Sequence, residues 1–571
     1  MTEDFQQEPP RLSNTFEADP LLRETLERLV PPELRRELAP AWHELGEAAA
    51  GRLLALAREA ERDPPRHVPF DAWGRRIDDV RVSPAWAELR REATCRGLVA
   101  IPYEAALGPW ARLHQFALLD LFGPSSAIFT CYVAMTDGAA RTLLEHAGPE
   151  LQARAVPRLT SRDPAVAWTS GQWMTERSGG SDVGGTRTRA RRGEDGRWRL
   201  WGTKWFTSAV TSEMALTLAR PEGAPGGSAG LSLFYLEQRL PDGSRNGITI
   251  HRLKDKLGTR ALPTAELSLE GCLAEPVGEP GAGVKSIAPL LNLTRLHNAI
   301  NACGLLARML QLLRDYSLRR AAFGARLAGH PLHRVSLAEL QLEYEAALAL
   351  TLDCARLLGR QEAREASAEE RCALRLLTPL AKLATARQAV AGCSEALEGF
   401  GGAGYVEDTG LPVFLRDAQV LPIWEGTTNV LSLDVLRASL REGALDGWLA
   451  EARRRLRALA AGPLGPEAQA VERHLALLEG GFRELAGAGR EVLESAARSV
   501  ALSLSAAAAC VPMLEQGAWG LGAGRGERSA LAARRWLVSR LRPVPDPRLA
   551  AAELRAAGAL AVLPEPGEEP L

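Results

Sequence analysis

The chain has 571 residues, 46% hydrophobic and 24% charged, with 69 Lys and Arg against 70 Asp and Glu. That length exceeds one ordinary core, so three or four domains are expected, and the composition is that of a soluble globular protein. The near-zero net charge excludes a whole-molecule attraction for nucleic acid.

The eight cysteines (Cys95, Cys131, Cys272, Cys303, Cys354, Cys372, Cys393 and Cys510) are dispersed. They form no Cys-x-x-Cys pair and have no histidine at zinc-ligand spacing, so no metal site and no disulfide framework are expected. The start, Met1-Thr2-Glu3-Asp4-Phe5, lacks the pattern of a secretory or transit peptide, and Glu568-Glu569-Pro570-Leu571 is not a peroxisomal address. A cytoplasmic setting is the expectation.

Residues 1–164 read as an N-terminal helical domain, with helix-spaced leucines from Leu22 to Leu29 and an apolar run from Leu113 to Phe122. Near Pro164 the texture changes. Arg197-Trp198-Arg199-Leu200-Trp201 alternates, and Leu231 to Leu236, Ile248 to Ile250 and Glu266 to Leu269 are short strand-like runs between glycine-rich turns. Residues 165–275 therefore predict an antiparallel sheet or small barrel. From 276 to 440 the period is helical again, with Leu337, Leu340, Tyr344, Leu348, Thr351, Ala355 and Leu358 three or four apart. Residues 441–541 predict further helices, and 542–571, rich in proline, a loose tail. The apolar run Ser499 to Leu514 is short and Ser-rich, so a buried helix rather than a membrane span is expected.

Gly399-Phe400-Gly401-Gly402-Ala403-Gly404 satisfies G-x-G-x-x-G, but a helical stretch, Leu380 to Leu397, precedes it where a Rossmann fingerprint needs a strand. The glycines there suit close approach of backbone to something flat or phosphorylated. Met174-Thr175-Glu176-Arg177-Ser178-Gly179-Gly180-Ser181-Asp182 offers free backbone N–H groups that suit a pyrophosphate or the rim of a flavin. In Lys204-Trp205-Phe206-Thr207 an indole and a hydroxyl two apart would share a face of a strand. In Trp424-Glu425-Gly426-Thr427-Thr428-Asn429 a carboxylate stands in a dry setting, as a base for a weakly acidic C–H requires.

In order and spacing these elements resemble the acyl-CoA dehydrogenase family over roughly residues 80–440. Also matching are Lys256-Leu257-Gly258-Thr259-Arg260 with Glu266-Leu267, Arg295, Arg320-Ala321-Ala322-Phe323-Gly324, and Phe400 to Tyr405 followed by Arg416-Asp417. The AidB-like branch is indicated by Gly74-Arg75-Arg76-Ile77-Asp78-Asp79-Val80, by Thr175 to Val183, by Trp424, and by about 130 residues after the core.

The resemblance implies a mostly helical α+β fold: an N-terminal helical domain, a middle antiparallel β-barrel, a C-terminal four-helix bundle and an extra helical domain. It implies FAD, held by Met174, Thr175, Gly180, Ser181, Trp205 and Thr207, with Gly426, Thr427 and Asn429 completing the site. Arg320, Phe323, Gly401 and Gly402 would come from a neighbouring subunit, so a homotetramer is implied. Glu425 would remove the α-proton of an acyl-CoA while the β-hydrogen leaves as hydride to flavin N5. Ser181 and Arg295 would contact substrate, although Asn292 stands where an Asp usually precedes that Arg; Glu398 replaces a Gln that usually meets the cofactor, a departure the AidB branch shares. The electron acceptor would be an electron-transferring flavoprotein or oxygen.

Two other functions compete: sequestering acyl groups without turnover, and association with DNA in an alkylation response. For the latter, residues 441–571 hold 17 Arg and no Lys against 16 acids, with runs at Arg453-Arg454-Arg455-Leu456-Arg457 and at Arg534, Arg535, Arg540 and Arg542. Affinity for phosphates needs such charge to be clustered and free.

Overall fold

The computed structural model describes residues 7–561. Its N-terminal part is helical from Pro20 to Leu159, interrupted by a hairpin of strands Arg66–Phe70 and Arg76–Arg81. The hairpin carries the arginine- and aspartate-rich motif of residues 74–80. Its Asp78 carboxylate accepts from His67 Nε2 and Arg76 Nε, both at 2.9 Å, and from the backbone N–H of Ile250 at 3.1 Å. That aspartate fastens the hairpin to the barrel.

Seven strands follow between Ser170 and Val277. A closed ring runs Met214–Pro221, Arg189–Arg192, Trp198–Ser208, Thr264–Val277, Ser232–Glu237 and back to the first, with Ile248–Leu253 added beside Thr264–Val277. Most pairings are antiparallel, but Met214–Pro221 runs parallel to both Ser170–Gln172 and Arg189–Arg192. Leu200, Phe234, Ile250 and Leu267 fill the barrel. Leu216, Leu218, Leu233 and Tyr235 pack outward against Leu143, Leu151 and Leu290 of the helices. Apolar residues on both faces explain why Met214–Pro221 reads as a continuous buried run rather than an alternating one.

Three 32-residue helices, Ala288–Arg319, Pro331–Glu362 and Ala368–Gly399, form the bundle with Thr428–Arg441. The third opens with a capping box between Ser367 and Glu370, which satisfies backbone donors the helix cannot. The stripe from Leu340 through Leu358 is buried, and Leu337 packs partly exposed against the core.

Beyond the bundle lie helices Ala444–Leu459, Gly465–Gly487, Arg490–Gly522, Arg528–Arg540 and Pro547–Leu560. Arg490–Gly522 is long and apolar enough to cross a bilayer by length and composition, and 78% of its most apolar window is buried inside the protein. The proline-rich end is not all loose. Its residues 547–560 are helical, and Ala550 joins the core against Arg490–Gly522. The prolines lie before and after that helix or at its first position, where a missing N–H costs nothing; residues 562–571 lie outside the described part.

Candidate active site

Glu425 lies in the loop between the helices Pro412–Ala418 and Thr428–Arg441. It adopts φ +56 and Gly426 follows at φ +102. A non-glycine residue in the left-handed region costs about 1–2 kcal/mol and persists only where its surroundings impose it. Those surroundings are visible. Thr294 Oγ1 donates to Glu425 Oε2 at 2.9 Å, and Gln172 Nε2 approaches the same oxygen at 3.5 Å. Arg295 Nε reaches the Glu425 carbonyl at 3.4 Å, and Lys382 Nζ donates to the Gly426 carbonyl at 2.6 Å. The Trp424 indole donates to Asn298 Oδ1. Thr427 caps the following helix, its hydroxyl accepting from Val430 N.

Two expectations change here. Glu425 is half-buried in this chain rather than enclosed. Arg295, assigned to substrate, is 14% exposed and bonds Asp434 at 2.8 Å as well as the Glu425 backbone. Its guanidinium joins the Glu425 backbone to the helix Thr428–Arg441. Sequence reasoning missed Gln172, Thr294, Asn298 and Lys382. Burial pushes the Lys382 ammonium down to about 7, against the raising influence of Glu425.

The loop of residues 174–182 is built around Glu176, which is buried. Its carboxylate accepts from Arg187 N at 2.7 Å, from Thr188 N at 3.0 Å and from Lys204 Nζ at 3.2 Å. Burial works against that carboxylate's charge, but Lys204 and these hydrogen bonds hold its pKa below the ordinary value. Gly180 packs on Thr175, whose hydroxyl would lie 2.4 Å from an added Cβ. Met174 and Thr175 are half-buried, whereas Ser181 is exposed at the rim. The loop follows directly on strand Ser170–Gln172 and therefore on the side chain that meets Glu425. Beside it a cavity of about 570 Å³ is lined by Ser178, Arg187, Thr203, Trp205, His251 and Glu266, among others.

Trp205 and Thr207 do not share a face. Lys204 pairs with Leu267 and Thr207 with Ala265, three residues on one strand against two on the other. This bulge inserts one residue and breaks the alternation. Lys204 and Thr207 both turn inward with barrel-core partners, and Thr207 is fully buried, its hydroxyl without a partner among the described residues. Trp205 and Phe206 stay on the open side, both under the Lys254 ammonium, at 3.7 and 4.6 Å from their ring centres. Phe206 is 56% exposed, so the aromatic platform has two rings.

The motif of residues 256–260 docks on Arg416-Asp417. Thr259 N donates to Asp417 Oδ1 at 2.6 Å, and an added Cβ on Gly258 would lie 2.3 Å from the Arg416 carbonyl. Burial raises Asp417 to about 7. This contact ties the barrel to the bundle.

Arg320, Phe323, Gly401 and Gly402 lie apart from these groups, on the surface. Strands Ala321–Ala322 and Ala325–Arg326 present Phe323 (φ +52) and Gly324 (φ +77) at the turn, and the phenyl ring is 98% exposed. His330 Nε2 bonds the Ala322 carbonyl at 2.9 Å, steadying that turn. Gly401 and Gly402 are exposed, with no atom of the described residues within 4 Å of an added Cβ, and Tyr405 beside them is 90% exposed. Asn429 is likewise exposed.

The arginine runs of the C-terminal helices are mostly spent within the protein. Arg453 pairs with Glu479, Arg454 with Glu451, Arg455 with Asp353 and Glu515, and Arg534 with Glu467. Arg535 pairs with Glu339, and Arg540 with Glu339 and Glu343. Little clustered charge remains for phosphates.

The residues suit a flavin on several counts: a glycine-rich loop in which only the Glu176 and Gly179 N–H groups donate, each to the other's carbonyl, a two-ring aromatic platform, and the buried Gln172 Oε1, which has no hydrogen-bond partner among the described residues. Comparison with known proteins agrees. Residues 6–164 match the Adaptive response protein AidB N-terminal domain, 171–272 the acyl-CoA dehydrogenase middle domain, and 281–440 the acyl-CoA dehydrogenase C-terminal domain. The chain belongs to the acyl-CoA dehydrogenase family, which is FAD-dependent, and within it resembles AidB. It is 48% identical to Acyl-CoA dehydrogenase family member 11 of Caenorhabditis elegans over 442 residues, 76% of this chain and 72% of that protein. It is 35% identical to Putative acyl-CoA dehydrogenase AidB of Escherichia coli K12 over 424 residues, 73% of this chain and 76% of that protein. The crystal structure of Caenorhabditis elegans ACDH-11 in complex with C11-CoA superposes with a TM-score of 0.94 at 39% identity, covering 100% of this chain and 98% of that one.

Proposed function

We propose that this protein catalyses FAD-dependent α,β-dehydrogenation of a fatty acyl-CoA thioester, with Glu425 as the base. One observation carries the reading: a carboxylate held in a left-handed turn by Thr294, Arg295 and Lys382, at the entrance to the loop suited to a flavin. Oε2 of Glu425 is engaged by Thr294, while Oε1 accepts no hydrogen bond among the described residues. That oxygen is available to take the α-proton. Bound FAD would supply the two-electron acceptor for the β-hydrogen, which leaves as hydride. Loss of both hydrogens leaves the α,β double bond.

Met174, Thr175 and Ser181 would hold the flavin and its pyrophosphate through backbone and hydroxyl groups, with Trp205 and Phe206 as the flat support. Gly426 and Thr427 would close the site. Arg320, Phe323, Gly401 and Gly402 would serve a second copy's cofactor, in a homotetramer; the exposure of Phe323 and Tyr405 on one chain supports this reading. An electron-transferring flavoprotein is the proposed acceptor. The complex of ACDH-11 with C11-CoA supports an acyl-CoA as ligand. Anaerobic titration of the purified yellow protein with acyl-CoAs of graded length tests the reading. Bleaching of the flavin band is expected; binding without bleaching would instead indicate an acyl-CoA carrier.

A further inference from the structure

Lys382 lies inside the helix Ala368–Gly399, one turn after Pro379, with none of its surface exposed to solvent. Burying an ammonium costs free energy unless its charge is used. Lys382 makes no ion pair among the described residues, and its hydrogen bond goes to the Gly426 carbonyl at 2.6 Å. The charged groups facing it are the Glu425 carboxylate and, on the helix Ala288–Arg319, the Arg295 guanidinium. Arg295 is balanced by Asp434 on the helix Thr428–Arg441, which also holds Arg375 and Arg437. The Cys131 thiol and, beyond it, Lys256 face Glu425 from the other side.

The two carbonyls flanking the strained turn are each held by a cation, Glu425 by Arg295 and Gly426 by Lys382, from two different helices. We propose that Lys382 is a positioning residue for the base: it pins the Gly426 peptide so that the left-handed turn keeps the carboxylate aimed. This rests on the reading of Glu425 as the base. Plain packing would be served as well by a Met of similar length, and Lys382→Met therefore separates the two roles.

The test uses the full-length holoprotein, bleached anaerobically by the fastest acyl-CoA in a series from butanoyl- to hexadecanoyl-CoA, with the rate followed against thioester concentration. Lys382→Met should keep its flavin and bleach roughly 10- to 100-fold more slowly at saturating thioester, since small misplacements of a reacting group carry such losses. The half-saturating thioester concentration should barely change. Lys382→Gln retains a donor for the Gly426 carbonyl, so most of the rate should return. A wild-type limiting rate in flavin-bound Lys382→Met would overturn the proposal. Should that variant lose its flavin, Lys382→Gln is compared with Lys382→Leu: a faster limiting rate in the glutamine variant supports the role, and equal rates overturn it. Glu425→Gln run in parallel keeps the two readings apart, since bleaching by that variant would sink the base and not the lysine alone.

Discussion

Thr294 donates its hydroxyl to Oε2 of Glu425 at 2.9 Å, joining a bundle helix to a loop 131 positions further along the chain. The same hydroxyl lies 3.1 Å from the carbonyls of Leu290 and Leu291, which are its alternative acceptors within the helix. Thr294→Val keeps the shape and removes the donor. A hydrogen bond to a charged group contributes about 1.5–3 kcal/mol, so flavin bleaching should slow by roughly 10- to 100-fold. Rapid-mixing kinetics should show the loss in the limiting rate, with little change in the thioester concentration needed for half of it.

Gly180 and Thr175 set the shape of the cofactor loop. An alanine at 180 would bring its Cβ to 2.4 Å from the threonine hydroxyl, and the loop or the threonine must shift. Overpacking of this kind costs about 1–3 kcal/mol, which corresponds to roughly 5- to 150-fold weaker flavin retention if the strain falls on the bound form. Gly226→Ala, with open space around its added Cβ, should bind flavin like the wild type. Ultrafiltration of flavin from the two variants compares them.

Arg455 joins the extra helices to the bundle, bonding Asp353 and Glu515 at 2.6 Å each. Removing one partner of a buried pair costs about 3–5 kcal/mol, so Arg455→Met should unfold at distinctly lower temperature. Burial raises the Asp353 pKa, but Arg455 and Arg356 outweigh it and bring the carboxyl down to about 2, below its ordinary 3.8. A depressed carboxylate contributes stability that is fully present above the ordinary value and is lost as pH falls through the folded one. The melting-temperature deficit of Arg455→Met should accordingly be full above about pH 4 and narrow as pH falls toward 2, where the wild type loses the contribution of the pair. Thermal melts across pH 2–6 read both effects.

The pairing of Arg453, Arg454, Arg455, Arg534, Arg535 and Arg540 with carboxylates leaves few cations for a phosphate backbone. Any binding to duplex DNA should therefore show a shallow dependence of log affinity on log salt, with a slope of about 2 or less in magnitude. A slope several times steeper would mean that these pairs open for nucleic acid.

Much of this was legible in the sequence because ordered motifs fix a fold more tightly than any single residue does. The helical N-terminal part, the middle barrel and the helical bundle with further helices beyond it all appear as those motifs implied. Other features were illegible for physical reasons. A bulge is one extra residue in one strand, and nothing in Lys204-Trp205-Phe206-Thr207 marks it; alternation then misplaces Thr207 and passes over Phe206. Lys382 sits in an Ala- and Leu-rich helix where a lysine ordinarily marks a solvated face, and only packing reveals that it is buried. Arg295 looks like a ligand-binding cation until Asp434 is placed beside it. The prolines of the last thirty residues suggested a tail, but those near the final helix lie at its start or beyond it, leaving Arg548 to Leu560 free to coil.

The most direct test compares wild type with Glu425→Gln, both purified with flavin and titrated anaerobically with an acyl-CoA. The account predicts that the wild type bleaches, and that the variant keeps its yellow colour and its cofactor while bleaching at least ~10³-fold more slowly, the scale of a lost general base. Bleaching of the variant at the wild-type rate would contradict it.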